Sequence, residues 1–154
     1  NVVMFPFSNK GHEGFLGNAV IGSWCNLGAD TNNSNLKNSY ENVRLWDYAE
    51  ERFAKTGLQF CGLMMGDHSK SAINTMFNTG TVVGVASNIF GAGFAKNFIP
   101  SFSWGGIQNS SIHSFEKAVA TAKIMMERKR EILSESDQMI LEEVYKQSQK
   151  WRKE

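Results

Sequence analysis

One of the three histidines lies in a setting that suits proton transfer. Gly11 precedes His12 and Glu13-Gly14 follow it, which predicts a surface loop that presents the imidazole. An imidazole titrates near neutral pH, and a general base of this kind typically contributes about 10²–10⁴-fold to a reaction rate. The alternative is a solvated loop histidine with no chemical role.

The other reactive side chains favour no second chemistry. His68 occupies a position predicted to point outward, and His113 stands at a predicted helix start, where a structural role is expected. The histidines do not cluster with Cys25 and Cys61 at metal-ligand spacing, so no metal site is predicted. The two cysteines form no Cys-x-x-Cys motif, and a disulfide-free cytoplasmic protein is the expectation.

A six-residue repeat supplies the elements that would position His12. The first place of each unit is mostly large and apolar: Ile21, Leu27, Met65, Ser71, Phe77 and Val83. The fifth place is always small: Cys25, Thr31, Ser69, Thr75, Thr81 and Ser87. Such a repeat is the signature of a parallel β-helix, in which each short strand forms one wall of a triangular coil.

The predicted fold is therefore mainly β, a parallel β-helix of hexapeptide repeats with the first-place side chains inside. Glycine is frequent in the second place, where we expect it to adopt backbone angles that a Cβ would obstruct. An antiparallel sandwich of short strands would also suit the glycines. It does not account for the small residue in every fifth place.

Two interruptions divide the chain. We predict the β-helix over residues 1–106, with a loop ejected at 33–57 in which Val43, Leu45 and Phe53 form part of a hairpin. The repeat is expected to run to about Phe94, and 96–106 reads as irregular. The chain begins inside what looks like a coil, so an N-terminal domain is expected to be missing.

Residues 107–154 form the predicted helical segment. Ser111 or Ser114 can cap a first helix, and Ser134 a second. The basic run that starts at Arg128 suits either phosphate binding or, as we prefer, a solvated helix end. With a net charge of +1 and no long apolar run, neither a nucleic-acid partner nor a membrane is expected.

The loop and the first coil resemble a known family over residues 9–94. The segments that carry the resemblance are Gly11-His12, Phe15-Leu16-Gly17-Asn18-Ala19, Ile21-Gly22, Asn26-Leu27-Gly28-Ala29-Asp30-Thr31 and Asn35-Leu36-Lys37-Asn38. They are similar to the acetyltransferase domain of the bifunctional N-acetylglucosamine-1-phosphate uridyltransferase/glucosamine-1-phosphate acetyltransferase family. The whole pattern looks most like a branch of predicted sugar-phosphate nucleotidyltransferases, whose nucleotidyltransferase part would precede this chain.

That resemblance implies a left-handed β-helix, a homotrimer with active sites between neighbours, and a role in nucleotide-sugar and cell-wall biosynthesis. His12 matches the general base that deprotonates the amine of an amino-sugar 1-phosphate. The implied substrate contacts are Asn26, Asn35, Phe15 and Lys37. The implied acetyl-CoA contacts are Ala29, Asn35, Ile73 and Gly91. Mg²⁺ is implied only for the nucleotidyltransferase domain.

Some positions depart from the family pattern. Phe15 stands where the family has a phosphate-binding Tyr, Leu36 replaces a Tyr, and Lys37 is a loose match because the loop is longer. These departures leave two alternatives open. One is a trimerising, regulatory β-helix that has lost acetyl transfer, and the other is an acyltransferase for a different amino sugar or small amine.

Overall fold

Short strands dominate the structure, a computed structural model that describes residues 1–152. In chain order the strands are β1 (Val2–Met4), β2 (Ala19–Ile21), β3 (Asn26–Leu27), β4 (Asn32–Asn33), β5 (Arg44–Asp47), β6 (Arg52–Lys55), β7 (Met64–Met65), β8 (Lys70–Ser71), β9 (Met76–Phe77), β10 (Val82–Val83), β11 (Asn88–Phe90), β12 (Phe98–Ile99), β13 (Ser103–Gly106) and β14 (Ser110–Ile112). The helices are α1 (Phe115–Glu127) and α2 (Glu135–Gln147), followed by a 3₁₀ turn (Ser148–Trp151).

Three sets of strands form separate faces, and β5 and β6 pair on their own. From β2 to β4 and from β7 to β13, successive strands belong to different faces. Face A has the order β1-β2-β7-β10-β12, and all its neighbours are parallel. Face B has the parallel order β3-β8-β11-β13, with β14 antiparallel at its edge. Face C pairs β4 with β9 in parallel. The prediction of a mainly β chain with parallel strands and two C-terminal helices is confirmed.

The repeat positions lie where the pattern predicts. Every first-place residue is buried, and the register aligns Ile21 with Met65, Val83 and Ile99 on face A. Every fifth-place residue is buried as well. The fifth-place hydroxyl groups bond to backbone carbonyls, as in Ser69 Oγ to Gly84 O at 2.6 Å, so these buried hydroxyls are satisfied.

The prediction about glycine was wrong in its physical reason. The second-place glycines Gly22, Gly28, Gly66 and Gly84 are not left-handed. A Cβ there would come within 3.0 Å of the backbone of a neighbouring segment, at 2.6 Å from the Ala72 carbonyl carbon for Gly28. Left-handed backbone occurs instead at the fourth place, where the chain turns each corner. These fourth-place residues are Trp24, Asp30, His68, Asn74, Gly80 and Ala86.

The parallel pairing continues beyond the predicted end of the repeat. Residues 96–106 contain β12 and β13, with Ile99 aligned to Val83 and Gly105 aligned to Ile89. This turn is shorter: Ser103 N bonds to Ser87 Oγ, 16 residues earlier, where the preceding turn bonds across 18. The prediction that 96–106 is irregular was wrong. The shorter turn shifts the six-residue period and puts a glycine, Gly105, in an interior place.

The ejected segment begins slightly later than predicted. Asn33 belongs to β4 and is buried, because its amide is bonded to both the N–H and the carbonyl of Gly17 at 2.8 and 2.9 Å. The prediction placed Asn33 in the loop because polar residues are typical of loops. The chain departs and returns where Leu36 pairs with Phe60, and β5 and β6 form the predicted antiparallel hairpin.

Both C-terminal helices pack on one corner of the strand region. Ser114 caps α1, and Ser134 forms a capping box with Asp137 at the start of α2, as predicted. Their apolar sides cover the corner between faces A and B, which we call the covered corner: Trp24, His68, Ala86 and Phe102. Among residues 1–152, no helix is both long and apolar enough to cross a bilayer.

Candidate functional site

The His12 loop is held in place by its backbone. Lys10 Nζ donates to the carbonyls of His12 and Glu13 at 3.2 and 2.8 Å, and the Glu13 carbonyl accepts from Asp30 N at 2.9 Å. Gly14 is left-handed at φ 114°, and a Cβ there would overlap the Thr31 carbonyl. The imidazole is exposed and makes no hydrogen bond within the described residues. A fixed loop therefore presents a free side chain.

His12 shares an edge with most of the predicted cofactor contacts. Asn9 pairs with Asn26, and Glu13 bonds to Asp30, so His12 lies one turn of chain before Ala29. The register of Leu27, Ser71 and Ile89 then brings Ala29, Ile73 and Gly91 into one line. We call this edge, between faces B and C, the open corner.

The open corner is uncovered and offers both apolar surface and backbone groups. Ile73 is 67% exposed. The Ala29 carbonyl accepts from Asn74 N at 2.8 Å, whereas the Ala29 N–H has no acceptor among residues 1–152. Gly91 is left-handed at φ 134°, with Ile107 immediately behind it. An exposed imidazole, a free N–H and an apolar edge therefore follow one another along this line.

Three predicted substrate residues lie at the next corner along the chain. The Phe15 ring lies over Gly17, where a Cβ would come within 2.7 Å of it and within 3.2 Å of Asn35 Nδ2. Asn35 Nδ2 donates to Asn18 Oδ1 at 2.8 Å, and Lys37 Nζ is 3.9 Å from Glu41. Asn35 follows β4 of face C, so this group lies at a different corner from the one that His12 shares with Ala29.

Asn26 belongs to a third location. It lies on the outer side of face B, where its Oδ1 accepts from Asn9 Nδ2 at 3.3 Å. Together with Lys70, Arg128 and Lys129 it lines a cleft of about 590 Å³ between face B and α1, here called the helix cleft. The sequence did not reveal this cleft, because Lys70 lies at an outward strand position and reads as a solvated residue.

The other two histidines are packed into the fold. His68 stacks near Trp24 at a ring separation of 6.3 Å, its Nδ1 has no partner in the described residues, and burial lowers its pKa to about 4. His113 Nδ1 lies 2.9 Å from the Ala86 carbonyl, and burial lowers the pKa of His113 as well. His113 is structural, as expected, and His68 is covered by the helices where an outward position was expected.

Neither cysteine is suited to nucleophilic chemistry. Both are free and buried, as expected. Burial raises the pKa of Cys25 to about 11 and also raises the pKa of Cys61, so the reactive thiolate is disfavoured. Within residues 1–152 no three His, Cys, Asp or Glu side chains are grouped to hold a metal ion.

No family model matches this chain, and no curated protein matches it.

Proposed function

We propose that the chain is a left-handed parallel β-helix that transfers an acetyl group from acetyl-CoA to the amine of an amino-sugar 1-phosphate. One observation carries the proposal. The exposed His12 imidazole falls on the same edge as the free Ala29 N–H and the exposed Ile73 side chain. An elongated thioester lying along this open corner would have its acetyl end beside a base and a hydrogen-bond donor.

The proposed chemistry needs only these groups and the two substrates. The amine nitrogen attacks the thioester carbonyl carbon while His12 accepts a proton from the nitrogen. The C–N bond forms, the C–S bond breaks and the CoA thiolate leaves, to be protonated by the imidazolium or by solvent. The Ala29 N–H would stabilise the negative charge that develops on the carbonyl oxygen.

The acceptor side of the site would be completed by a second copy of the chain. Phe15, Asn35 and Lys37 lie at another corner of this chain, and a neighbouring copy would supply its own set of these residues to His12. We propose a homotrimer for this reason. On face A an apolar ladder of Val3, Val20 and Met64 is in register, and Val3 and Val20 are exposed. This ladder is a suitable contact surface for the neighbour.

We further propose that this unit belongs to a sugar-1-phosphate nucleotidyltransferase, which would use Mg²⁺ in its own domain. The outer edge of β1 supports a further packed unit on this side. Val2 and Met4 occupy that edge and are both exposed. An exposed apolar strand edge is normally covered by another part of the protein.

Thiol release tests the enzyme proposal. The full-length protein is incubated with acetyl-CoA and glucosamine 1-phosphate, and free CoA thiol is followed for the wild type, His12→Ala and Glu13→Gln. We expect His12→Ala to lower kcat by about 10²–10⁴-fold. Glu13→Gln changes the adjacent exposed side chain, whose carboxylate makes no hydrogen bond to residues 1–152, and should retain the wild-type rate.

A second candidate function is assembly without catalysis. It is favoured by the scattering of the substrate residues over different corners and by the apolar ladder on face A. In that case the protein would release no CoA thiol from acetyl-CoA with any of a panel of amino-sugar phosphates. Sedimentation would still show a trimer. Val20→Lys should then dissociate the trimer in either case, which separates assembly from chemistry.

A further inference from the structure

The helix cleft lies between the outer side of face B and the C-terminal end of α1. Its floor is formed by Asn26 and Lys70, which are register partners on β3 and β8. Its helical wall includes Met125, and Arg128 and Lys129 follow the end of α1. At about 590 Å³ it falls in the size range of small-molecule sites, which is about 300–1,000 Å³.

Three cations surround this space, and no carboxylate of residues 1–152 lines it. Lys70 Nζ donates to the His68 carbonyl at 3.0 Å and has no acidic partner within 4 Å in the described part of the chain. The side chains of Arg128 and Lys129 make neither a hydrogen bond nor an ion pair among residues 1–152. This grouping differs from an ordinary solvated helix end, because one of the cations comes from the strand region and is half-buried.

Burial of Lys70 makes its lack of an acidic partner among residues 1–152 significant. Desolvation lowers the pKa of the Lys70 ammonium, which means that the folded protein accepts a cost for keeping this charge in the cleft. A dianionic ligand would offset that cost by pairing with the ammonium. Buried charges in proteins are normally paired, and Lys70 lines the cleft, so an anion bound there would supply a partner for this ammonium.

The rest of the lining selects among anions. The amides of Asn9 and Asn26 lie at one side, joined by their own hydrogen bond at 3.3 Å, and can donate or accept with hydroxyl groups. Met125 adds an apolar surface on the opposite wall. A cleft that combines cations, neighbouring amides and an apolar wall suits a phosphorylated polyol better than an inorganic ion alone.

We propose that the helix cleft binds an organic phosphate monoester of sugar-phosphate size, with its phosphoryl oxygens between Lys70, Arg128 and Lys129. The sugar hydroxyls would lie against the amides of Asn9 and Asn26. This site is separate from the open corner and does not depend on acetyl transfer. A sugar phosphate and the 3′-phosphate of CoA share the necessary phosphomonoester chemistry.

Calorimetric titration of the full-length protein tests the site. The probes are glucose 1-phosphate, inorganic phosphate and glucose, together with CoA and dephospho-CoA to distinguish the two sources of a monoester. We expect glucose 1-phosphate to bind, glucose to give no heat, and Lys70→Gln to raise its Kd about tenfold or more. Preference for CoA over both dephospho-CoA and glucose 1-phosphate would identify the cofactor's phosphate as the ligand.

A matched pair of double variants provides the control. Arg128→Gln/Lys129→Gln removes two positive charges from the cleft, whereas Lys123→Gln/Arg130→Gln removes two exposed charges from the same region that do not line it. All four side chains are exposed, so both variants should fold even if Lys70→Gln does not. Equal weakening by the two pairs, or no binding of any phosphorylated probe, would overturn the proposal.

Discussion

The covered corner and the open corner have the same backbone geometry and opposite environments. Both turn through a left-handed residue, with φ 61° at His68 and 58° at Asn74. At the covered corner the neighbouring aromatic residues Trp24 and Phe102 are buried beneath α1 and α2. At the open corner Ile73 and Asn74 face outward with no helix over them.

The difference shows that the turn determines the backbone conformation at a corner, whereas packing determines which side chain is favourable there. The turn itself requires only a left-handed residue, which costs about 1–2 kcal/mol for a residue with a Cβ. Packing then decides whether a large side chain at that place stabilises the fold. The covered corner gains from its aromatic residues, while the open corner retains exposed apolar surface that contributes little to stability and remains accessible to a ligand.

Removing a large side chain from each corner should give the largest contrast. Phe102 is fully buried and contacts Tyr145 edge-on at a ring separation of 4.9 Å. We expect Phe102→Ala to lower the free energy of unfolding by about 3–5 kcal/mol, because it leaves a cavity beneath the helices. Ile73→Ala, at the open corner, should change the free energy of unfolding by less than about 0.5 kcal/mol. Urea denaturation followed by circular dichroism measures both.

Similar losses for the two variants would contradict the contrast between the corners. A large loss at Ile73 combined with a change in oligomeric state would have a different meaning. It would show that a neighbouring subunit covers the open corner, which sedimentation of the same samples would detect.

Most interior positions of the strand region can be predicted from the sequence. The small residues in the fifth place and the apolar residues in the first place were sufficient to predict the interior, because both are required by the short turns. The same pattern missed Asn33 and Gly105, which occupy interior places through hydrogen bonds to Gly17 and through a shorter turn. The neighbouring sequence does not show that a polar residue is interior when its hydrogen-bond partner lies many residues away.

The sites were less predictable than the fold. The loop around His12 was identified from its glycines, but its alignment with Ala29 depends on the pairing of Asn9 with Asn26. The helix cleft depends on which corner the helices cover, and amphipathic helices alone do not specify this. The spacing of Trp24 and Phe102, both aromatic at fourth places, was the available signal for the covered corner.

Acid should weaken the covered corner in particular. His68 has a pKa of about 4 when folded and about 6.5 when unfolded, and Lys70, Asp67 and Asp137 are the charged groups around it. The unfolded chain therefore binds a proton at higher pH than the folded chain does. The stabilisation is complete above pH 6.5 and is lost as the pH falls towards 4, by at most about 3 kcal/mol.

His68→Asn isolates this contribution, because Asn tolerates the left-handed backbone and does not titrate in this range. Free energies of unfolding at pH 7.5, 5.5 and 4.5 should fall less steeply in the variant than in the wild type. The lowered pKa of His113 gives both proteins a residual slope in the same direction. Parallel curves for the two proteins would show that burial of His68 has no part in acid sensitivity.

The smallest expected effect tests whether the corner turn has a cost of its own. Asn74 is exposed, its side chain makes no hydrogen bond in residues 1–152, and its φ is 58°. Asn74→Ala should lower the free energy of unfolding by about 1 kcal/mol although no contact is lost, because Ala is strained in this conformation. Asn74→Gly should be within about 0.5 kcal/mol of the wild type, since glycine adopts the conformation freely but orders a more flexible unfolded chain. A lower free energy of unfolding in Asn74→Ala but not in Asn74→Gly would assign the cost to the backbone conformation. An equal decrease in both variants would assign it to the Asn side chain, and would remove the distinction between turn and packing at the open corner.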